Sequence, residues 1–266
     1  MTTRRIGCAI VVGFGLVALL SPWLAPYDPF ERASKPFLPP SRTHWLGTND
    51  VGHDILSELL VGARVTLLVS VSVALLATGI GTVMGMLAAY SSPLLSELLQ
   101  ALTNMALVIP RLPLVIAAAA YLGRGIVPLI LILALVTWPA TARVVHAQAL
   151  AVARHEYITA SRSLGARPLW IIYNHLWLGV RSLVWTQFLL AVNSAALTEA
   201  GLSFLGLGDP SQKSWGAMLY YAHARSAFLT AAWRWWVLPP GLCLALFLFG
   251  LMLLGRRSGS VALNHA

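Results

Sequence analysis

The stretch 154-RHEYITASRSLGARPLWIIYNHLW-177 is polar and basic, although it lies in a chain built mostly of long apolar runs. Within it, Glu156 and Arg162 carry the charges that a helix dipole favours in the first and last turns of a short helix. Gly165 stands where that helix should end, and Pro168 suits the first turn of a second one. We therefore predict a helix, a glycine corner and a second helix just outside a membrane, in a shape suited to docking a soluble partner.

The composition around this stretch predicts an integral membrane protein. The 266 residues are 58% hydrophobic and only 10% charged, whereas a soluble domain carries roughly 25% charged residues. The net charge of +9 is spread over the loops without a basic patch that includes aromatic residues, so we expect no nucleic-acid partner. The positive charge instead indicates contact with anionic membrane lipid. Cys8 and Cys243 both fall in apolar runs, which argues against a disulfide framework.

The apolar runs predict an all-α, polytopic protein with six transmembrane helices. Each run is close to the length of about 20 residues that crosses a bilayer core. The six predicted spans are 6–24, 65–90, 98–122, 126–145, 180–197 and 235–254.

These spans divide the chain into a first transmembrane helix, an extracytoplasmic loop with short irregular helices, a five-helix core and a cytoplasmic tail. The bounds are 1–25, 26–64, 65–255 and 256–266, and the core includes the polar docking loop at 143–178. Lys and Arg are almost equally numerous on the two sides of the membrane. The arginines that flank the first and last spans favour cytoplasmic termini and a cytoplasmic docking loop.

A cleaved signal peptide is the alternative interpretation of the first apolar run, because Arg4 and Arg5 provide the charged start of such peptides. The run is long for a signal core, however, and Pro26 would crowd a cut after Ala25. An uncleaved span is the preferred interpretation.

The docking loop resembles the EAA loop of permease subunits in ATP-binding-cassette importers. The family pattern is Glu-x-x-x-Ala-Ala, then a glycine and an Ile/His-Leu-Pro run. It falls on Glu156, Ala160, Ser161, Gly165, Ile171 and His175, with Ser161 in place of the second alanine and Leu178 in place of the proline. The resemblance implies a type I importer permease fold and an ATPase-coupling site. The residues assigned to that site are Glu156, Tyr157, Ala160, Ser161, Arg162, Gly165 and Ala166.

Two further stretches are similar to signatures of the dipeptide, oligopeptide and nickel branch of these permeases. One is HWLGTNDVGHDILS at 44–57 followed by GAR at 62–64, and the other is EAGLSFLGLG at 199–208 followed by SWGAML at 214–219. His53 and Glu58 replace arginines that are common in this branch, and the tail lacks the usual Gly-Asp-x-Leu-Arg-Asp ending. The residues that carry this extracytoplasmic signature are Trp45, Gly47, Gly52, Asp54, Glu199, Phe204, Gly206, Trp215 and Gly216.

The resemblance implies a subunit of a bacterial inner-membrane importer rather than an enzyme. Its partners would be a second, similar permease, two ATPase subunits or a fused pair, and an extracytoplasmic binding protein. The chain has no Gly-x-x-x-x-Gly-Lys-Ser/Thr loop, and its only lysines are Lys35 and Lys213. We therefore expect ATP and Mg²⁺ on the partner ATPases, with no catalytic residue, cofactor or metal site in this chain.

Other function classes fit the sequence less well. A self-sufficient secondary carrier or channel predicts internal repeats and paired ionisable residues in its spans, and neither pattern is evident. An intramembrane hydrolase would need a nucleophile elbow, which is missing. By the resemblance, the cargo is expected to be short peptides, dipeptides or oligopeptides, with nickel or another small solute as the alternative.

Arg111 is the one clear charge in the middle of a predicted span, between Pro110 and Pro113. A charge at that depth costs several kcal/mol unless it faces a partner or water. Two interpretations stay open: Arg111 pairs with a backbone carbonyl or a partner's acid for packing alone, or it lines the substrate pathway.

Overall fold

A computed structural model describes residues 2–123 and 125–255, so the predicted tail at 256–266 lies outside the described residues. Within those ranges the protein is helical, and its β-structure is one isolated bridge between Thr48 and Asp54. The helices are α1 (Thr2–Leu24), α2 (Ile55–Tyr90), α3 (Pro93–Val108), α4 (Arg111–Leu122), α5 (Ile126–Ala153), α6 (Glu156–Ser163), α7 (Pro168–Ile171), α8 (Trp177–Phe204), α9 (Trp215–Ala224), α10 (Trp233–Trp236) and α11 (Leu238–Gly255). A π-helical segment, Ile172–Leu176, joins α7 to α8, and a 3₁₀ turn, Ala227–Leu229, follows α9.

Four helical stretches in the described residues are long and apolar enough to cross a membrane. They are α1, α2, α5 and the stretch Trp233–Gly255, and a fifth is added if α3 and α4 count as one span. Helix α8 has 28 residues, but polar side chains such as Gln187 and Asn193 keep it out of this set. The predicted count of six therefore stays a prediction, with four or five spans supported by length and composition.

The third predicted span is two helices, because α3 and α4 meet at an angle of 84°. Pro110 adopts an extended conformation at the junction, with φ −62° and ψ 118°. Pro110 and Pro113 both lack the N–H that a helix needs for its i→i−4 hydrogen bonds. The sequence correctly placed the interruption, and the sharp bend makes this element a broken span or a re-entrant loop.

Helix α2 begins at Ile55, ten residues before the predicted start at 65. The Asp54 side chain caps it by accepting a hydrogen bond from the Ser57 N–H at 2.9 Å. At 1.5 Å per residue, the 36 residues of α2 extend about 54 Å, whereas the hydrocarbon core is about 30 Å thick. Helix α2 is therefore longer than the core is thick, and the charged residues Glu58 and Arg64 indicate that its first turns project from the bilayer.

Small residues bring the central helices together. Helix α2 packs along α5, and a Cβ atom on Gly81 would lie 2.7 Å from the carbonyl oxygen of Trp138. On Gly85 it would lie 2.7 Å from the carbonyl oxygen of Ala142. The small residues of this span do pack against another helix, as predicted. Gly79 is the exception, since a Cβ atom on it would have no neighbour within 4 Å.

The loop before α2, which is predicted to be extracytoplasmic, consists of turns, and the short helices expected there are absent from 25–54. Hydrogen bonds to one threonine organise it instead. Thr48 Oγ1 donates to the carbonyl oxygen of Lys35 at 2.7 Å and accepts from the Leu38 N–H at 2.9 Å. A compact loop is thus held against the start of α2.

Candidate functional site

The polar docking loop has the local structure that the sequence predicts. Glu156 lies in the first turn of α6 and Arg162 in its last turn. Gly165 follows with φ +83°, a left-handed conformation that glycine adopts without steric cost. The Gly165 N–H donates to the Arg162 carbonyl at 3.0 Å, and the Ala166 N–H donates to the Ser161 carbonyl at 3.1 Å. These two bonds form a Schellman motif that ends α6.

The second helix of the docking loop is continuous with the next long helix. Pro168 occupies the first turn of α7, as predicted. Helix α7 then passes through the π-helical segment into α8 without a turn. Leu178, which stands where the family usually has proline, supplies a backbone N–H at a position where proline has none.

Two buried isoleucines attach the docking loop to the rest of the protein. Ile158 of α6 and Ile171 of α7 are almost completely buried, and both pack in a cluster with Val145 and Ala149 of α5. The loop is therefore fixed at two points, one on each side of the Gly165 corner.

The opposite face of the docking loop is exposed and carries large apolar side chains. Leu164 is 89% exposed, Leu169 76% and Tyr173 73%. Tyr157, half exposed, stacks on His155 with ring centroids 5.4 Å apart. Exposed apolar patches of this kind mark interaction sites. We call this face the docking face. It is formed by Glu156, Tyr157, Ala160, Arg162, Leu164, Gly165, Leu169, Trp170 and Tyr173.

Most of the residues assigned to coupling lie on this face. Ser161 and Ala166 are the two that are only partly exposed. Ser161 Oγ donates to the Tyr157 carbonyl at 2.8 Å, so the serine that replaces alanine in the family pattern is satisfied within its own helix. The apolar residues Leu164, Leu169 and Tyr173 were not assigned from the sequence, because no local pattern distinguishes an exposed apolar side chain from a buried one.

Arg111 is the first residue of α4 and lines a cleft of about 560 Å³ between α4, α5 and α8. The cleft wall includes Leu112 of α4, Thr137 of α5 and Ser194 and Thr198 of α8. Arg111 is exposed, and no carboxylate in the described residues pairs with it. The break between α3 and α4 thus presents a guanidinium to an open, partly polar cleft.

The first signature, which is predicted to be extracytoplasmic, is largely a set of structural residues. Asp54 is buried, and besides capping α2 it contacts His44 Nδ1 at 2.9 Å. Gly47 and Gly52 have φ +73° and +90°, and a Cβ atom on Gly52 would collide with the carbonyl oxygen of Ser34. Trp45, by contrast, is exposed and available to a partner.

The second signature packs α9 against α8 and α2. Trp215 is buried and donates its indole N–H to the Leu59 carbonyl at 3.0 Å. A Cβ atom on Gly216 would lie 2.6 Å from Ala200 Cα, so only glycine permits this approach. Glu199 is buried and accepts a hydrogen bond from Ser203 Oγ at 2.8 Å.

The remaining two residues of this signature lie where the chain leaves α8. Gly206 has φ +78° and faces the Tyr220 ring. Phe204 is partly exposed on the same turn and lines the cleft that contains Arg111.

A cluster of polar side chains that the sequence did not reveal surrounds Glu58. Its Oε1 atom accepts from Asn49 Nδ2 at 3.0 Å and lies 3.1 Å from His53 Nδ1. Lys213, which precedes α9, also reaches this oxygen. His53 and Glu58, which stand where arginines are common in the family branch, are therefore in contact with each other, and Glu58 also forms a buried ion pair with the distant Lys213.

The sequence and fold match known proteins. A family described as binding-protein-dependent transport system inner membrane component matches residues 81–220. The chain is 36% identical over 246 residues to the di/tripeptide transport system permease protein DppC of Pseudomonas aeruginosa (strain UCBPP-PA14), covering 90% of this chain and 80% of that protein. It is 30% identical over 257 residues to the oligopeptide transport system permease protein OppC of Bacillus subtilis (strain 168), and the match covers 95% of this chain and 83% of that protein. It is 32% identical over 214 residues to the glutathione transport system permease protein GsiD of Pectobacterium atrosepticum, and the match covers 78% of this chain and 70% of that protein.

A solved structure of the MetNI methionine ABC transporter, in an inward-facing conformation, contains a chain with a similar fold. The TM-score is 0.61 at 18% sequence identity, and the match covers 77% of this chain and 97% of that chain. At this identity the likeness concerns the fold alone. The all-α permease fold predicted from the sequence is confirmed.

Proposed function

Since the chain belongs to the family of binding-protein-dependent transport system inner membrane components, we propose that it forms half of the translocation pathway of an ATP-driven importer of short peptides. It is an integral protein of the bacterial inner membrane and a permease subunit of a transporter. Peptide cargo is supported by the names of its relatives, which refer to di/tripeptides, oligopeptides and glutathione.

The observation that carries this proposal is the docking face. It combines exposed apolar side chains with Glu156 and Arg162, and it is held by the buried anchors Ile158 and Ile171. Such a surface fits a soluble subunit that pushes on the membrane domain, because a force applied there passes directly into α5 and α8. The proposed occupants are two ATPase subunits, or a fused pair, which bind ATP and Mg²⁺.

The proposed orientation puts the docking face and both chain ends in the cytoplasm. The loop at 26–54 and the segment before α9 then face outward, where a binding protein would deliver the cargo. Exposed Trp45 is available to that partner. A second permease of the same family completes the pathway on the side of the cleft that contains Arg111.

Arg111 is the proposed cargo contact in this chain. Its guanidinium presents five donors in a planar fork that matches a carboxylate, and free peptides end in a carboxylate. Broken helices at membrane depth are tolerated where they line a water-filled cavity, which fits the bend between α3 and α4. Arg111 would hold a peptide terminus briefly during passage.

The test is charge reversal on the docking face of the complete, reconstituted importer. Glu156→Lys should leave the complex inserted but lower both peptide transport and peptide-stimulated ATP hydrolysis, because the acidic contact to the ATPase subunit is lost. Glu97→Lys is the matched control, since Glu97 is also exposed and lies in α3 near the end of α2 that packs against the docking loop. Wild-type coupling in the Glu156 variant would show that the docking site is misplaced.

A further inference from the structure

An open groove runs between α2 and α8, near the other end of α8 from the cleft that contains Arg111. Its volume is about 570 Å³. The walls are mostly apolar and include Leu75 and Val83 of α2 and Phe188 of α8. Gly79, also in the α2 wall, leaves space in the groove, because no atom lies within 4 Å of where its Cβ would be.

Among the described residues that line this groove, Arg181 is the one that carries a charge. No carboxylate in the described residues lies within ion-pairing distance of it, and Met1, Arg124 and 256–266 contain no Asp or Glu. An arginine at membrane depth is costly without a partner. Within the part of the chain that the structure describes, the positive charge in the groove therefore has no acidic partner.

The depth of Arg181 fits a lipid headgroup. Helix α8, with 28 residues, is about 42 Å long and exceeds the hydrocarbon core of about 30 Å by roughly 6 Å at each end. Arg181 lies four residues, or about 6 Å, from the start of α8 at Trp177. With α8 centred in the bilayer, Arg181 would lie close to the boundary between the acyl chains and the headgroups.

Trp177 supports the same depth. It lines the groove at the start of α8, and tryptophan concentrates at membrane–water interfaces. Trp185 stacks on Phe188, with ring centroids 5.5 Å apart, and so forms a flat wall deeper in the groove. Next to the groove, α2 exposes the aliphatic residues Leu76 and Ile80, which suit contact with lipid chains.

We propose that this groove binds one anionic phospholipid, with its phosphate on Arg181 and an acyl chain between α2 and α8. Basic pockets between transmembrane helices near a membrane surface are suited to anionic headgroups. The groove adjoins Trp177, where the docking loop enters α8. The bound lipid would therefore support the end of the helix that receives force from the docking face.

The first test measures lipid retention by native mass spectrometry. The complete importer is delipidated in detergent and then given phosphatidylglycerol or phosphatidylcholine. Arg181→Gln should lose one tightly bound phosphatidylglycerol per copy of this chain, with little change for phosphatidylcholine. Arg143→Gln, an exposed arginine on α5 outside the groove, is the matched control. Equal phosphatidylglycerol retention in wild type and Arg181→Gln overturns the proposal.

The second test fills the groove. Gly79→Leu should exclude the acyl chain and lower the number of retained phosphatidylglycerol molecules by one. Gly13→Leu, on α1 and also without neighbours within 4 Å, should leave retention unchanged. If Gly79→Leu instead releases the second permease from the complex and leaves lipid retention unchanged, the groove is a subunit interface and the lipid proposal is wrong.

Discussion

Lys213 Nζ lies 2.7 Å from Glu58 Oε1, although 155 residues separate the two in sequence. Both side chains are largely buried, with 14% of Lys213 and 3% of Glu58 exposed. The contact joins the first turn of α2 to the segment that leads into α9. Because Asn49 also donates to Glu58 Oε1, one carboxylate connects the loop before α2, the start of α2 and the segment before α9.

Removal of this carboxylate should destabilise that surface. Glu58→Gln leaves the buried ammonium of Lys213 without a counter-charge, and breaking a buried pair from one side typically costs about 3–5 kcal/mol. We expect a lower thermal unfolding temperature and faster hydrogen exchange at 205–214. The control is Asp50→Asn, which removes the pair with Arg225, whose side chain is 60% exposed. That change should cost less than about 1 kcal/mol, and equal effects would contradict a structural role for the buried pair.

Alanine at Gly52 should disrupt the loop before α2. The residue would have to adopt φ +90°, which costs an L-residue about 1–2 kcal/mol, and its Cβ would collide with the Ser34 carbonyl. We expect a lower unfolding temperature and proteolytic cleavage within 26–54. Gly13→Ala, in open surroundings on α1, provides the comparison. An unchanged protease pattern in the Gly52 variant would mean that the loop is not held in this conformation.

Single-cysteine labelling tests the orientation of the protein. With Cys8 and Cys243 replaced, a cysteine at Ser163 should react only after the inner membrane is opened, and one at Ser211 should react from outside. Ser163 and Ser211 are both exposed. Ser214 is unsuitable, because it is buried and its hydroxyl accepts from the Ala217 N–H at the start of α9. Labelling of the cysteine at position 163 from outside intact cells would show that the proposed orientation is wrong.

Arg111→Met should distinguish the pathway role of Arg111 from a packing role. The change removes the charge while roughly keeping the length of the side chain. Transport of peptides with a free C-terminus should fall more than transport of amidated peptides, when the binding protein accepts both. An equal fall for both cargoes indicates packing. If transport of both kinds of peptide is unchanged, Arg111 does not line the pathway.

Local features of the sequence predicted local structure well. The helix, glycine corner and proline restart at 156–168 follow from side-chain charge and backbone preference within a few residues. Hydropathy located the apolar spans but not the ends of the helices. It identifies the residues that suit the hydrocarbon core, whereas a helix can continue beyond that core. The start of α2 at Ile55 depends on the Asp54 cap outside the apolar run.

Long-range relationships could not be obtained this way. Two prolines predicted an interruption near 110, but the angle of 84° between α3 and α4 depends on what each helix packs against. The approach of Lys213 to Glu58 has no signature in either local sequence. The exposure of Leu164 and Leu169 likewise depends on which helices surround them.

The π-helical segment at 172–176 fixes the rotational setting of the docking face. Each residue of a helix advances it by about 100° around the axis, and a π turn contains one residue more than an α turn. This turn joins α7 to α8 and takes up the additional residue within one wide turn. If the same residues formed a regular α-helix instead, Trp170 would point about 100°, or more than a quarter of a revolution, away from its present direction relative to α8.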